Sequence, residues 1–244
     1  MDAAVVAPAC TVCGSRPVLA YRQSLHGEVT CAAHPVLAEC MFCARTHADP
    51  APPGWRPFAA GMMRCPTCLA DAVETQQDAR LHLPSVRRQM TDIGLELPDR
   101  VRVRIVSPEE AAATAGLVTT GVLLGLTEQT TGGAEGTRVT GISIVAGLPP
   151  TYFGRAVAHE IGHAWLALRG RAPVDDVIEE GLCELFAYAW LRRHGTPMAL
   201  ELRRRLSTNP DPVYGGGFRT VHQAVRRHGV ATVLDRLLTT GGLR

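Results

Sequence analysis

The sequence predicts an α+β protein in which a small N-terminal double zinc-binding module precedes a larger domain with a small β-sheet and a helical C-terminal half. Seven of the eight cysteines lie between Cys10 and Cys68, in a part of the chain that is poor in large aliphatic side chains. Alternating and β-rich segments follow, and from Thr151 onward apolar positions recur at helical spacing. We therefore place the domains at residues 1–72 and 73–244, and divide the second into a sheet-containing half, 73–150, and a helical half, 151–244.

Composition and charge exclude several classes of protein. With 244 residues, 46% hydrophobic and 20% charged, the chain is predicted to fold as a globular protein. A formal net charge of +2 gives no electrostatic case for binding nucleic acid. No apolar run approaches the ~20 residues that a membrane-spanning helix needs, and the first residues lack the basic start of a secretory signal. We expect a cytoplasmic protein with no nucleic-acid or membrane partner.

Four pairs of potential ligands, each with a two-residue spacer, predict two structural zinc sites. Such a spacer lets both side chains of a tight turn reach one ion, and four ligands complete a tetrahedral zinc site. Because no export signal is visible, metal binding is favoured over a disulfide scaffold. His26 and His47 lie nearby and are interpreted as surface residues. The predicted ligands, in chain order, are Cys10, Cys13, Cys31, His34, Cys40, Cys43, Cys65 and Cys68.

The sequence leaves open how these ligands share the two ions. Consecutive pairing would join the first four ligands and then the last four, as two stacked zinc ribbons in LIM fashion. Interleaved pairing would give the cross-braced arrangement of a RING domain, and the order of ligand types suits both. Five residues separate His34 from Cys40, where both families usually have two or three. In either arrangement we expect the module to recognise a substrate or a protein partner.

The residues after this module predict a helix, a strand and a hairpin. The helix carries apolar positions among Gln and Arg, with Pro84 suited to its first turn. The strand alternates at a period of two, which indicates one buried face. A Gly-rich stretch from Thr130 to Gly136 separates two β-rich segments and predicts a long hairpin loop. The predicted elements are a helix within 73–94, a strand at 101–106 and hairpin strands at 117–128 and 137–147.

Glycine and proline residues divide the chain from Thr151 onward into several predicted helices. The first connection is short, so the first two of these helices are expected to pack antiparallel to one another. The predicted breaks fall at residues 170–173, 195–197 and 209–217.

The first of these helices contains His159-Glu160-Ile161-Gly162-His163, which fits the H-E-x-x-H pattern. Residues four apart lie on one helix face, so His159 and His163 can bind one zinc ion together. Glu160 lies one position further on, where its carboxylate can take a proton from a zinc-bound water. An apolar stripe on the opposite face indicates a core helix, in which two histidines and a glutamate without metal would be unfavourable. We therefore predict a catalytic zinc.

A catalytic zinc needs a third protein ligand, and the position at which metzincins carry a third histidine holds Arg169 here. Asp175 or Asp176 fits a helix N-cap, and with Asp176 as the cap Glu179 completes a capping box. The remaining carboxylates, Glu180 and Glu184, lie four apart on one face of an apolar helix. We predict that Glu180 is the ligand and that Glu184 orients a zinc-bound imidazole from behind. H-E-x-x-H followed by E-G-x-x-E is the gluzincin arrangement.

The chemistry expected of this site is hydrolysis of a peptide bond. Zinc lowers the pKa of its bound water toward ~7, and Glu160 takes the proton and later returns it to the leaving amine. The developing oxyanion needs a second donor, for which we favour Tyr214 over Tyr188 and His222 because it adjoins a Gly-rich loop. The strand at 142–146 precedes the catalytic helix, where gluzincins place an edge strand that pairs with an extended peptide.

Residues 158–170 and 178–190 carry the two motifs in the forms AHEIGHAWLALRG and IEEGLCELFAYAW. Together with GLTEQT at 125–130 and YGGGFR at 214–219, they resemble the peptidase domain of the DA-one family, plant LIM-domain proteins that limit organ growth and have bacterial relatives. The resemblance covers roughly residues 65–244. In the zinc-binding region the order Cys-x2-His stands where LIM domains have His-x2-Cys. The resemblance implies a gluzincin-type zinc metallopeptidase acting on proteins, preceded by a LIM-like module.

A second interpretation is a protein without peptidase activity. The chain could be a zinc-organised interaction module whose helical domain is the relic of a peptidase, or a RING-like ubiquitin-transfer scaffold. A relic tends to lose the general base first, whereas Glu160, both histidines and the candidate glutamates are all present. The sequence therefore favours a zinc metallopeptidase with one catalytic and two structural zinc ions. Its expected partners are a protein or peptide substrate and a protein bound through the zinc module.

Overall fold

The computed structural model describes residues 8–16, 20–116, 122–132, 136–169 and 174–243. Helices and short strands are both present in these ranges, so the predicted mixed α+β class is confirmed. The chain divides into two compact units, with the principal boundary between Ala72 and Val73. None of the helices in the described ranges combines the length and the apolar character needed to cross a membrane.

In its described residues, the first unit contains three antiparallel strand pairs, a 3-10 turn (Ala59–Gly61) and one short α-helix. The pairs are β1 with β2, β3 with β4, and β5 with β6, and each strand has only two or three residues. Phe42 and Trp55 are its large buried side chains apart from the cysteines, among the side chains that the structure describes. So small a core supplies little folding free energy, which fits a unit held by metal. The elements are β1 (Tyr21–Gln23), β2 (Val29–Cys31), β3 (Ala38–Glu39), β4 (Thr46–His47), β5 (Arg56–Pro57), β6 (Met63–Arg64) and α1 (Pro66–Ala70).

A three-stranded sheet and two helices begin the second unit. The elements are α2 (Gln76–Thr91), β7 (Val103–Val106), α3 (Pro108–Ala115), β8 (Gly125–Gly132) and β9 (Gly136–Val145). The strand order is β7-β9-β8. β9 runs parallel to β7, with Ile142 opposite Val103, and antiparallel to β8, with Ile144 opposite Gly125. β9 is therefore the central strand, and β8 lies at an edge of the described sheet.

Two predictions about this sheet are wrong. Most of the stretch 130–136 is strand rather than loop, because β8 continues to Gly132 and β9 begins at Gly136, and the threonines there favour extended pairing. The strand that contains 142–146 is not an edge strand, because β7 pairs with its other side. That parallel partner is remote in sequence, so no local pattern reveals it. Residues 117–121 of the predicted hairpin lie outside the described ranges.

Helix α2 begins with a capping box. The Thr75 hydroxyl accepts a hydrogen bond from the backbone N–H of Asp78, and the Asp78 carboxylate accepts from the backbone N–H of Thr75. These bonds start the helix eight residues before Pro84. The prediction that Pro84 lies in the first turn is therefore wrong, and the proline sits in the helix interior.

The remainder of the second unit is helical. Its elements are α4 (Pro150–Leu168), α5 (Asp176–Leu191), α6 (Pro197–Thr208), a π-helical turn (Pro212–Gly216), α7 (Gly217–His228) and α8 (Val230–Thr240). The predicted break at 170–173 lies outside the described residues. Arg155 near the start of α4 contacts Glu184, whereas His163 further along contacts Glu179, so α4 and α5 pack antiparallel. α4 also packs against β8 and β9, and its central residues are therefore buried.

Candidate functional site

The structure brings His159 and His163 on α4 together with Glu180 on α5. The two Nε2 atoms lie 3.2 Å apart. Oε2 of Glu180 lies 3.3 Å from Nε2 of His159 and 3.6 Å from Nε2 of His163. The three potential ligand atoms therefore form a nearly equilateral triangle, contributed by two helices that the core packs against each other.

This triangle has the size that a zinc ion requires. Zinc bonds of about 2.0–2.1 Å in tetrahedral geometry place neighbouring N and O ligands about 3.3 Å apart. The Oε2 atom of Glu180 is buried and has no hydrogen-bond partner among the described residues, although a buried carboxylate oxygen ordinarily has one. Two imidazoles and one carboxylate are also the donor set of known catalytic zinc sites. The residues therefore fit zinc, with a fourth position left for water or substrate.

The charges around the triangle favour a cation. Burial lowers the pKa of the His159 imidazole, but the carboxylates of Glu184, Glu180 and Glu160 outweigh that effect and raise it to about 9. Burial raises the pKa of Glu180, but His159 and His163 outweigh it and hold that pKa at about 2. The negative charges of these three glutamates act on His159, and a divalent cation bound there would be stabilised by them.

Glu184 lies behind His159 but is held mainly by an arginine. Its two carboxylate oxygens accept hydrogen bonds from Nη2 of Arg155, at 2.5 Å and 2.8 Å, and the side chain is almost fully buried. The Oε1 atom lies 3.7 Å from Nδ1 of His159, too far for a hydrogen bond. Glu184 therefore acts on His159 through its charge, and Arg155 was not anticipated from the sequence.

Glu179 contacts the other imidazole and does not cap the helix. Asp175, not Asp176, is the N-cap of α5, and its carboxylate accepts from the backbone N–H of Val177. The predicted capping box is therefore wrong. The Glu179 carboxylate instead lies 3.0 Å from Nδ1 of His163. A carboxylate there fixes the orientation of the ring and leaves Nε2 free for a metal.

Glu160 hydrogen-bonds to the sheet and is not one of the three corners of the metal triangle. Its side chain is buried, and Oε2 accepts a hydrogen bond of 2.8 Å from Oγ1 of Thr127 on β8. Gly125, two residues earlier on β8, leaves room for this carboxylate, because a Cβ there would lie 2.8 Å from Cγ of Glu160. Sequence reasoning missed both residues, although they lie in the GLTEQT stretch that carries part of the family resemblance.

Tyr214 lies in the π-helical turn that precedes α7. Burial raises the pKa of its phenol, and the negative charges of Glu180 and Glu184 raise it further. The turn is held there by a contact between two glycines, since a Cβ on Gly181 would lie 2.2 Å from the carbonyl carbon of Gly217. The Tyr214 side chain is half exposed, as a group that meets a substrate must be.

Tyr188 and His222, the alternative donors, belong to an aromatic cluster. The Tyr188 ring lies 5.3 Å from that of Phe218 and 5.6 Å from that of His222, and Phe218 stacks on His222 at 5.3 Å. These contacts pack α7 against α5. Both alternative donors thus have packing partners within this cluster.

In the first unit, the eight predicted ligands form two groups, joined consecutively. Cys10, Cys13, Cys31 and His34 form one group, and Cys40, Cys43, Cys65 and Cys68 form the other. Sulfur atoms lie 3.9 Å apart between Cys13 and Cys31 and 3.6 Å apart between Cys43 and Cys65. Zinc–sulfur bonds of about 2.3 Å in tetrahedral geometry predict about 3.8 Å. The geometry is that of LIM-like ribbons and not of a RING cross-brace.

The histidines of this unit differ in role. Nε2 of His34 is buried without a hydrogen-bond partner among the described residues, as expected for a ligand atom. Nε2 of His26 lies 3.3 Å from Sγ of Cys68 and contacts that metal group from outside. Nδ1 of His47 accepts from the backbone N–H of Asp49 and lies in neither group.

Comparison with known proteins gives a consistent family assignment. A family model described as DA1-like, Protein DA1, matches residues 68–205. Protein DA1 of Arabidopsis thaliana is 26% identical over 204 residues, which cover 71% of this chain and 36% of that protein. Protein DA1-related 2 of the same plant is 25% identical over 207 residues, covering 71% of this chain and 37% of that protein. The chain thus matches little more than a third of the length of these relatives.

A rice relative carries a LIM domain in its name. LIM domain-containing protein HDR3 of Oryza sativa subsp. japonica is 26% identical over 140 residues, which cover 43% of this chain and 28% of that protein. No solved structure matches the chain. The candidate site on α4 and α5 lies entirely within the segment that the family model covers.

Proposed function

The chain belongs to the DA1-like family, and from that premise we propose that it is a zinc-dependent metallopeptidase that hydrolyses peptide bonds in protein substrates. The observation that carries the proposal is the triangle of His159, His163 and Glu180, with the buried carboxylate of Glu160 next to it in the chain. Two histidines and a glutamate leave one coordination position free, as hydrolytic zinc sites do. The gluzincin-type assignment of this domain is part of the proposal.

Zinc, when bound, would supply an acidified water and polarise the scissile carbonyl. Glu160 would accept the proton of the attacking water at its carboxylate and return it to the leaving amine. Its separation from the ligand triangle suits this role, because a metal ligand could not also carry the proton. Glu179 would hold the ring of His163, and Glu184 together with Arg155 would hold the charge behind His159.

Tyr214 would donate its phenolic proton in a hydrogen bond to the developing oxyanion. A tyrosine phenol is protonated at neutral pH, as a donor must be, and the raised pKa of Tyr214 is consistent with this. The glycine contact that fixes its turn against α5 supports this placement. The half-exposed ring is open to an arriving substrate.

The first unit would hold two structural zinc ions and recognise a substrate or protein partner. The two ligand groups and the LIM domain in the name of the rice relative support this assignment. Because zinc-bound cysteines persist where thiols stay reduced, we propose a reducing compartment such as the cytoplasm. The consecutive pairing of ligands disfavours a RING-like ubiquitin-transfer scaffold.

The proposal is tested by incubating the purified, zinc-loaded chain with a panel of unfolded proteins and a peptide library. New N-termini are expected by mass spectrometry, to disappear with a chelator and to return with zinc. In the same assay Tyr214→Phe is expected to lower kcat about 10²-fold or more with little change in KM, because an oxyanion donor acts in the transition state. No cleavage across the whole panel, or cleavage that resists zinc removal, would reject the peptidase assignment.

A further inference from the structure

Thr127 on β8 makes two contacts with the proposed general base. Its hydroxyl lies 2.8 Å from Oε2 of Glu160 and 3.0 Å from the backbone oxygen of the same residue. Both oxygens are acceptors, and the single proton of the hydroxyl is drawn more strongly to the nearer, charged Oε2. The Glu160 side chain is only 6% exposed, so water competes little for the carboxylate. The orientation of that carboxylate is therefore set largely by Thr127.

Gly125 completes the cradle around Glu160. Alternate residues of a strand point to the same face, so positions 125 and 127 both face α4. A Cβ at position 125 would lie 2.8 Å from Cγ and 3.0 Å from Oε1 of Glu160, and 2.9 Å from Cδ1 of Ile144. Gly125 thus leaves room for the carboxylate, and Thr127, the next residue on that face of β8, hydrogen-bonds to it.

The backbone of these two residues faces the open edge of the sheet. The N–H of Val145 donates to the carbonyl of Leu124, and Gly125 lies opposite Ile144 in the next pair. In an antiparallel ladder, positions 125 and 127 therefore belong to non-hydrogen-bonded pairs. The N–H and C=O groups of residues in such pairs point away from the partner strand. In the part of the chain that the structure describes, β8 pairs only with β9. An extended peptide adding to this edge would bond to the main chain of Thr127.

We propose that Thr127 is a positioning residue that orients the Glu160 carboxylate toward the reacting water. The side chain of Thr127 fixes the base, while the main chain of the same residue faces the edge of β8 on which the substrate would add. Binding of the peptide and alignment of the base are thereby coupled. This inference rests on the proposed peptidase function and adds to it a residue outside both zinc motifs.

The test compares three variants of the zinc-loaded full chain. Thr127→Val keeps the shape of the side chain but removes the donor, and it is expected to lower kcat about 10- to 100-fold with KM and zinc content nearly unchanged. Thr127→Ser restores the hydroxyl and is expected to recover most of kcat. Thr130→Val changes an exposed threonine of the same strand and serves as the matched control, with kcat unchanged.

A second readout does not depend on activity. Thr127→Val is expected to lower the Tm by about 5 °C, and to lower it clearly less in a Glu160→Ala background, where the hydroxyl has lost its carboxylate partner. If the chain cleaves nothing, the peptidase proposal fails, and the Tm comparison still decides whether Thr127 holds Glu160. Additive Tm changes, an unchanged kcat in Thr127→Val, or no recovery in Thr127→Ser would each overturn the inference.

Discussion

Replacing Glu160 by Gln should remove most peptide hydrolysis while zinc stays bound. Gln keeps the size of the side chain and can still accept the hydrogen bond from Thr127, but it cannot accept a proton from water. General acid–base catalysis contributes about 10²–10⁴-fold, so we expect kcat to fall by that order with KM little changed. The measurement is steady-state kinetics on a library-derived peptide, with zinc content determined on the same sample.

The control is Glu109→Gln, which removes a carboxylate from the exposed surface of α3 and should leave kcat unchanged. Thermal unfolding of Glu160→Gln should resemble that of the unaltered chain, because the buried hydrogen bond to Thr127 is kept. Full activity in Glu160→Gln would contradict the role of a general base. Loss of zinc from this variant would show that Glu160 is a ligand, against the geometry of the triangle.

Replacing Gly217 by Ala should cause a large loss of stability. The new Cβ would lie 2.1 Å from the carbonyl oxygen of Val177 and 3.1 Å from Cα of Gly181, both of which are backbone atoms that cannot turn aside. Overpacking of this kind costs about 1–3 kcal/mol and sometimes more. For a chain of this size we expect the Tm to fall by roughly 5–10 °C. Differential scanning calorimetry measures the change.

The neighbouring glycine provides a matched control. A Cβ on Gly216 would have its nearest contact at 3.7 Å, with the carbonyl oxygen of Asp211, and the backbone there is already helical. Gly216→Ala is therefore expected to leave the Tm nearly unchanged. Equal Tm values for the two variants would show that the contact between α5 and α7 is looser than the structure has it.

The pairs of residues that share a helix face in the candidate metal centre could be predicted from the sequence, because helical periodicity determines them. Residues four apart share a face, which places His159 beside His163 and Glu180 beside Glu184 whatever the rest of the chain does. The contact between the Glu179 carboxylate and the imidazole of His163 was harder to predict from the sequence. The sequence leaves the N-cap open between Asp175 and Asp176. With the cap at Asp175, Glu179 is not a capping residue, and its carboxylate contacts His163 instead.

Contacts that depend on strand pairing could not be predicted. Thr127 and Gly125 reach Glu160 only because β8 pairs with β9 and both pack beneath α4. In the first unit, spacing left the sharing of ligands open. The structure joins Cys10 and Cys31 because the backbone N–H of Thr11 donates to the carbonyl of Val29, which brings the first turn against the strand that ends in Cys31. Such long-range pairings leave no periodic signal in the sequence.

The number of zinc ions per chain, measured by elemental analysis, tests the central claim that α4 and α5 form a metal centre separate from the two ligand groups of the first unit. We predict three zinc ions in the unaltered chain and two in His163→Ala, which removes one corner of the triangle. His194→Ala, a histidine outside all three groups, should keep three. Two zinc ions in the unaltered chain, or three in His163→Ala, would contradict the account.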